Sequence, residues 1–314
     1  MIRRHSPLRA LVVIDGRNPL GSSTTELLLE GMDLGVTAWL LHHESLEWRS
    51  DRGMFGPCRS VSRGDGPRDI ALGARRRLKL SGFDVLLMRL CPPVDPLFIA
   101  TCQELADLET QLLCVNRPSA ILAWPEKLVP LRYPGIHPDT LVSQDQSVLQ
   151  KFAGSHGAVV VKPLYDYQGH GVQIYGDGMV AWQDVVDLIS RTGAPVIIQQ
   201  YLPSVRQGDM RVFLVDGRLA GAFLRIPQQG SDMASLHAGA VPRAATLGPA
   251  ELDICDRIGS DLAHAGLPFV GLDVIGGQLT EIGTTSPTGL VQLRELNGAR
   301  PAKELWRWII GTVS

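Results

Sequence analysis

The stretch Ala158-Val159-Val160-Val161-Lys162-Pro163-Leu164-Tyr165-Asp166-Tyr167-Gln168-Gly169-His170-Gly171-Val172 decides the architecture. Four apolar residues make a strand that ends on a lysine, and a glycine-bearing loop leads into a second strand signal over Gly171–Tyr175. Burying Lys162 is costly unless an anion meets it. Gly169 and Gly171 let backbone amides approach phosphate oxygens without Cβ hindrance. Taken alone, the segment has two readings: a phosphate-binding strand and loop, or a lysine that snorkels beside an ordinary glycine hairpin.

Downstream the strand signals come in pairs: Val196–Tyr201, then Met210–Val215 and Arg218–Leu224 joined by the turn dipeptide Asp216-Gly217. A helix over Pro249–Ala265 follows, then Phe269–Val274 and Gln278–Ile282 joined through Gly276-Gly277. Ser286-Pro287 reads as the cap and first turn of a helix through Glu295 that stops at Asn297-Gly298. Upstream the pattern is different. Leu11–Ile14, a helix capped by Ser22-Ser23-Thr24 and running to Met32, Val36–Leu41, Phe83–Met88, a helix over Pro96–Leu108 and Leu112–Val115 alternate strand with helix, as an open α/β sheet does. Between these strands lie a Gly/Arg-rich stretch from Arg49 to Gly66 and the run Arg75-Arg76-Arg77 before Lys79, which reads as a solvated helix end. Pro125, Pro130, Pro134 and Pro138 mark a connector. The expected fold is an N-terminal α/β domain over residues 1–122 and an α+β region over 123–314.

The bulk numbers exclude several function classes. With 314 residues the chain folds as two or three packed units. A net charge of −2 supplies no field that would recruit nucleic acid or an anionic membrane. The apolar run Leu11–Ile14 is too short for a signal peptide, and no apolar stretch approaches the roughly 18–20 residues of a membrane span. Cys58, Cys91, Cys102, Cys114 and Cys255 are scattered without a Cys-x-x-Cys pair, which argues against zinc or a disulfide framework and points to the cytoplasm. No Gly-x-Gly-x-x-Gly follows the first strand, so a dinucleotide-dependent enzyme is excluded.

Three further groups carry chemistry. Asp273 and Glu281 stand on the two arms of the Gly276-Gly277 hairpin, where folding can bring both carboxylates to one face as magnesium ligands or leave them on a solvated strand face. Arg225 ends the strand Arg218–Leu224, and Arg211 follows Asp209 by two residues. Each suits a phosphoryl clamp or a surface salt bridge. His137, His170 and His237 are single, without metal spacing, and read as structural or solvent-facing.

Several ordered stretches together are similar to the bacterial glutathione synthetases, ligases of the ATP-grasp superfamily. They are Val-Leu-Leu-Met-Arg-Leu-Cys-Pro-Pro-Val-Asp (85–95), Val-Asn-Arg-Pro (115–118), Pro-Glu-Lys-Leu (125–128), Val-Val-Lys-Pro-Leu (160–164), Gln-Gln-Tyr-Leu-Pro (199–203), Gly-Asp-Met-Arg-Val (208–212), Arg-Ile-Pro-Gln (225–228), Phe-Val-Gly-Leu-Asp-Val-Ile-Gly (269–276) and Leu-Thr-Glu-Ile-Gly-Thr-Thr-Ser-Pro-Thr (279–288). The resemblance implies a pre-ATP-grasp domain followed by an ATP-grasp domain with a central subdomain over about 123–200 and a C-terminal subdomain over about 201–314. It implies that Lys127 and Lys162 bind ATP phosphates, with Gly169 and Gly171 in the covering loop, and that Gln199, Gln200, Tyr201 and Leu202 line the adenine pocket. Asp209 would face the ribose and Arg211 the phosphates. Arg225 would steady the transferred phosphoryl, and Asp273 and Glu281 would hold Mg²⁺, with Mn²⁺ as an alternative. The implied reaction joins a small carboxylate to an amine, an amino acid or short peptide, through an acyl-phosphate, in a homo-oligomer.

Four positions depart from the family pattern. Gly283 stands where the family has a metal-binding asparagine. In the covering loop Met233-Ala234-Ser235 replaces Arg-Gly-Asn, and Gly239-Ala240-Val241 replaces Gly-Gly-Arg, with Arg243 two residues on as a substitute cation. The departures motivate a paralogue with another substrate. They also motivate a second reading, an ATP-binding protein without ligase activity.

Overall fold

The computed structural model describes residues 7–16, 21–166, 169–176 and 181–314. Tyr167 and Gln168 of the glycine loop lie outside the described residues. The N-terminal apolar runs become parallel strands with both faces covered, which is why they read as unbroken hydrophobic stretches rather than alternating ones. β1 (Arg9–Ile14) pairs in parallel with β2 (Thr37–His42) after α1 (Ser22–Asp33). β3 (Glu47–Arg49), β4 (Gly53–Arg63) and β5 (Ile70–Lys79) then extend one edge antiparallel, before β6 (Val85–Arg89), α2 (Pro96–Ala106) and β7 (Leu113–Val115) complete the other. The sheet order is β3-β4-β2-β1-β6-β7, with β5 on β4.

The arginine run does not end a helix. Arg75, Arg76 and Arg77 lie in β5, opposite Arg59, Cys58 and Pro57 of β4. Aromatic partners hold them there: Arg76 sits 5.8 Å over the Trp39 ring and Arg77 4.7 Å over Phe55, while Arg77 pairs with Glu47 at 2.7 Å. The long β4–β5 hairpin thus forms from the Gly/Arg-rich stretch that showed no strand signal.

After α3 (Pro118–Ala123), a separate four-stranded sheet forms from β8 (Thr140–Ser143), β9 (Val159–Pro163), β10 (Gln173–Tyr175) and β11 (Val196–Gln200), in the order β10-β9-β11-β8. α4 (Gln146–Ser155) and α5 (Trp182–Thr192) cover one face, giving a small core of its own around Leu149, Val159, Val161, Leu188 and Ile198. Because strand side chains alternate, Val160, Lys162 and Gln199 are left on the opposite face.

The third sheet is antiparallel, in the order β14-β13-β12-β15-β16: β12 (Asp209–Val215), β13 (Arg218–Ile226), β14 (Val241–Ala244), β15 (Phe269–Ile275) and β16 (Gln278–Gly283). Asp216 and Gly217 take φ of 50° and 73°, the left-handed pair that a two-residue hairpin demands. α6 (Pro249–His264) precedes β15, and α7 (Leu290–Asn297) and α8 (Pro301–Val313) follow β16. Trp306 of α8 is fully buried and donates to the Leu27 carbonyl at 2.7 Å, so the C-terminal helix packs on α1. Cores are shared between the first and third sheets in the same way.

Two caps differ from the sequence reading. α1 is capped by Gly21 with no side-chain bond; the Ser23 hydroxyl instead accepts from the Gly289 and Leu290 amides at 3.0 and 3.3 Å. The last predicted helix therefore begins at Leu290, not at Ser286-Pro287. Pro287 and its neighbours lie in neither helix nor strand, and the Pro287 carbonyl accepts from the buried Arg89 at 3.1 Å. Gly289 has φ +108°, and a Cβ there would meet Phe223 at 2.7 Å, so only glycine serves at this bend.

Candidate functional site

The face of the second sheet that its helices leave open and one face of the third enclose a cleft of about 220 Å³. Lys162 projects into it from β9 and donates to Gln199 Oε1 at 2.7 Å; Gln199 in turn donates to Thr140 at 2.9 Å. Burial pushes the Lys162 ammonium below its ordinary pKa, although Glu281 pulls it back up. Lys127 reaches the wall from the connector and donates to the Asp166 carbonyl. Gln200, Tyr201 and Leu202 continue the wall past the end of β11.

The floor is a charge ladder across the four strands β13, β12, β15 and β16. Strand register sets Asp209 opposite Arg225, Arg211 opposite Asp273, and Asp273 opposite Glu281. Arg211 grips Asp273 with two bonds of 2.6 and 3.0 Å, and also donates to the Thr288 carbonyl at 3.0 Å. Arg225 is 2.5 Å from Asp209 and 3.0 Å from Asp273. Burial raises Asp209 to about 7 despite Arg225, whereas Asp273, which burial alone would raise, is held at about 2 by Arg211 and Arg225. Asp209 Oδ1 and Arg225 Nε are buried with no hydrogen-bond partner. Polar atoms stranded in this way on a cleft floor suit a polar ligand.

Lys127, Lys162, Gly169, Gln199, Gln200, Tyr201, Leu202, Asp209, Arg211, Arg225, Asp273 and Glu281 all line this one cleft. Gly171 does not. It takes φ +69° and packs on Pro163, whose Cγ would lie 2.7 Å from an added Cβ. Arg243 is also elsewhere: it is exposed on β14, opposite Leu224, and is not part of the lining. Val241 is likewise exposed outside the wall, while Met233 and Ser235 line it.

Asp232 lines the wall without a signal in the sequence. His170 and His237, which the sequence reads as structural or solvent-facing, are exposed and line the wall, and Glu126 lies in the adjoining pocket. Asp232 is fixed by the Tyr201 hydroxyl at 2.8 Å and by Arg206 at 3.0 Å. His170 and His237 reach the wall from two different loops. Glu126 accepts from the amide and hydroxyl of Thr285 at 2.9 and 2.8 Å, and burial and Glu281 both push its carboxyl up. Its Oε1 lies 3.9 Å from where a Cβ at Gly283 would stand, so a carboxylate occupies the surroundings of the departed side chain. Glu126 was visible as part of Pro-Glu-Lys-Leu, but only its neighbour Lys127 carries a charge that suggests phosphate.

The donor set fits a divalent cation that shares its coordination with a ligand. Asp273 and Glu281 face each other in register, and the described lining holds five carboxylates against four permanent cations. Among the described residues, no cluster of three or more His, Cys, Asp or Glu forms a dedicated metal cage. Two carboxylates completed by phosphate oxygens are the usual arrangement for Mg²⁺.

Comparison with known proteins covers nearly the whole chain. The family model of the prokaryotic glutathione synthetase N-terminal domain matches residues 8–121, and that of the prokaryotic glutathione synthetase ATP-grasp domain matches residues 126–298. Glutathione synthetase of Bradyrhizobium diazoefficiens is 35% identical over 291 residues, 92% of each chain. That of Parasynechococcus marenigrum is 40% identical over 254 residues, covering 76% of this chain and 82% of its own. Among solved structures, D-cycloserine synthetase DcsG superposes with a TM-score of 0.68 at 17% identity, over 97% of this chain and 100% of its own. Macrocyclase MdnC from Microcystis aeruginosa, bound with precursor peptide MdnA, gives 0.63 at 13% identity, over 97% and 100%. At such identities the likeness to these structures is one of fold.

Proposed function

The chain belongs to the prokaryotic glutathione synthetase family, ATP-dependent ligases that form amide bonds, and from that premise we propose the residues and steps by which it acts. Lys127, Lys162, Arg211 and Arg225 bind and steady the phosphates, and the Gln199–Leu202 edge receives the adenine. A substrate carboxylate attacks the γ-phosphate of ATP, and the four cations offset the charge that develops on the transferred phosphoryl group. An amine then displaces phosphate from the acyl-phosphate, giving an amide, ADP and phosphate. Asp273 and Glu281 would hold Mg²⁺ or Mn²⁺, which supplies further charge neutralisation at the phosphates. No side-chain acid or base is required; positioning and electrostatics carry the rate.

The observation that carries this reading is the ladder itself: Arg211, Arg225, Asp273 and Glu281 converge on the cleft that Lys162 reaches from the opposite sheet and Lys127 from the connector. The division into an N-terminal unit to about 122, a central unit to about 200 and a C-terminal unit is part of the same proposal. The five scattered, buried cysteines support a reducing compartment, the cytoplasm.

The substrates are γ-glutamylcysteine and glycine, or another peptide and amino acid in a paralogue; Met233 and Gly283 favour the paralogue. ADP release with γ-glutamylcysteine plus glycine, beside a panel of amino acids and dipeptides, tests this. Robust turnover on the first pair overturns the paralogue. ATP binding with no ADP release on any pair overturns the ligase in favour of the ATP-binding reading that Gly283 also motivates.

A further inference from the structure

Two histidines from different loops, His170 and His237, stand at the wall of the cleft. Between Pro163 and Val172, His170 is the only side chain able to carry positive charge; between Gln228 and Val241, His237 is the only one. The loops touch: a Cβ at Gly169 would meet the Met233 methyl at 2.6 Å. His237 sits in a built turn, since the Ser235 hydroxyl accepts its amide at 3.2 Å and the Ser235 carbonyl accepts from Ala238 and Ala240 at 3.0 and 3.1 Å. Gly239, at φ +86°, closes that turn.

The charge balance of the cleft says what these imidazoles face. On the floor stand Lys127, Lys162, Arg211 and Arg225 against Asp209, Asp273 and Glu281. At the rim, Asp166 lies on the loop of His170, and Asp232 on the loop of His237, engaged by Tyr201 and Arg206. Five carboxylates outnumber four permanent cations. A bound triphosphate adds several more negative charges, and the two histidines are the only other cationisable residues of the described lining.

We propose that His170 and His237 form a protonatable cationic cover over the terminal phosphate of the bound nucleotide, taking the place that permanent cations would fill in a covering loop. The proposal rests on the ATP-dependent reading above. Burial and the neighbouring His170 hold His237 below its ordinary pKa, so without an anion the His237 imidazole stays neutral more readily than a free one. A phosphate between them reverses that preference. Nucleotide binding therefore takes up protons near neutral pH.

The test uses the full chain with Mg²⁺ and either ADP or a non-hydrolysable ATP analogue, by calorimetry in buffers of different ionisation enthalpy. The expected result is net proton uptake with the triphosphate at pH 7 and less with ADP. H170Q and H237Q should each reduce the uptake and weaken triphosphate binding about fivefold at pH 6.5, with little effect at pH 8.5, on the scale of one ordinary net hydrogen bond. His237→Arg should keep binding tight across the range and abolish its share of the uptake, a pattern that a merely structural role for His237 does not produce. Glutamine variants with wild-type affinity and wild-type proton uptake overturn the histidine cover alone. A wild-type chain that binds neither nucleotide overturns the ATP reading and the cover with it.

Discussion

Restoring a side chain at Gly283 is the sharpest perturbation that the site offers. Residue 283 lies two positions after Glu281 on β16, so its side chain points to the same face of the strand as that carboxylate. A Cβ added there meets the Gly271 carbonyl at 3.4 Å and Glu126 Oε1 at 3.9 Å, both ordinary contacts, and the backbone is not in the left-handed region. Gly283→Asn should therefore cost little sterically, and removing a strand glycine returns about 0.5–1 kcal/mol of backbone entropy. Stability is expected to stay within about 1 kcal/mol of wild type, a shift of roughly 2–4 °C in Tm. The amide oxygen adds one neutral ligand or hydrogen bond beside Glu281, worth about 0.5–1.5 kcal/mol, or up to about tenfold in affinity. The assay is the Mg²⁺ concentration giving half-maximal nucleotide binding, read by calorimetry alongside a thermal melt. A Tm drop of more than about 6 °C would refute the steric reasoning, and an unchanged Mg²⁺ dependence would refute the placement of residue 283 at the metal.

Three other outcomes follow from the same geometry. Arg225→Met leaves Asp209 and Asp273 buried without their shared guanidinium, so stability should fall by about 3 kcal/mol and ADP release by on the order of 10²–10³; a variant that melts and turns over like wild type would contradict the assignment. Asp209, raised from 3.8 to about 7, keeps a proton on folding that the unfolded chain has released, so its contribution to stability falls as pH rises from about 4 to about 7; Asp273, lowered to about 2, contributes above about 4 and loses that as pH falls. Denaturant unfolding across pH 3–8 should show both limbs, and Asp209→Asn should flatten only the upper one. Gly217→Ala places a Cβ 2.5 Å from the Gly259 carbonyl at φ +73°, which should cost about 2 kcal/mol in unfolding free energy while leaving the KM for ATP unchanged.

The sequence carried the strands that enclose the site, because each is a short apolar run bounded by a turn dipeptide or a glycine pair, and those signals are local. Asp216-Gly217 set the β12–β13 hairpin, and Gly276-Gly277 brought Asp273 opposite Glu281. What it did not carry depends on partners far along the chain. The β4–β5 arm owes its stability to Trp39 and Phe55 under Arg76 and Arg77, and to Arg59 donating to the Gly73 and Leu72 carbonyls at 2.9 and 3.1 Å. Seen locally, three consecutive arginines resemble a solvated helix end. The start of α7 is hidden from the sequence because the side chain that accepts from its N-cap amide, Ser23, lies 266 residues away. In the site, the positions of the acids and bases were legible, but their pairing was not. That Arg225 would bridge Asp209 and Asp273 depends on registers interrupted by irregularities at Phe213/Leu214 and Asp273/Val274.

That bridging gives the site its chemical logic. A floor with four uncompensated cations would pay a large desolvation cost, and the structure avoids it by pairing Arg211 and Arg225 with Asp273 and Asp209. The pairs orient both guanidinium groups on the cleft floor before any phosphate arrives, so less side-chain freedom is lost on binding. They also tie the two halves of the site together. Any cation that draws on the oxygens of Asp273 weakens its hold on Arg211 and Arg225 and frees their remaining donors for phosphate. Metal and nucleotide should therefore bind with positive coupling, each raising the affinity for the other by the same factor. On the proposed assignment, the absence of a side-chain ligand at Gly283 would weaken the metal directly and, through Asp273, the grip on phosphate, so a shortfall at one residue would spread across the whole floor.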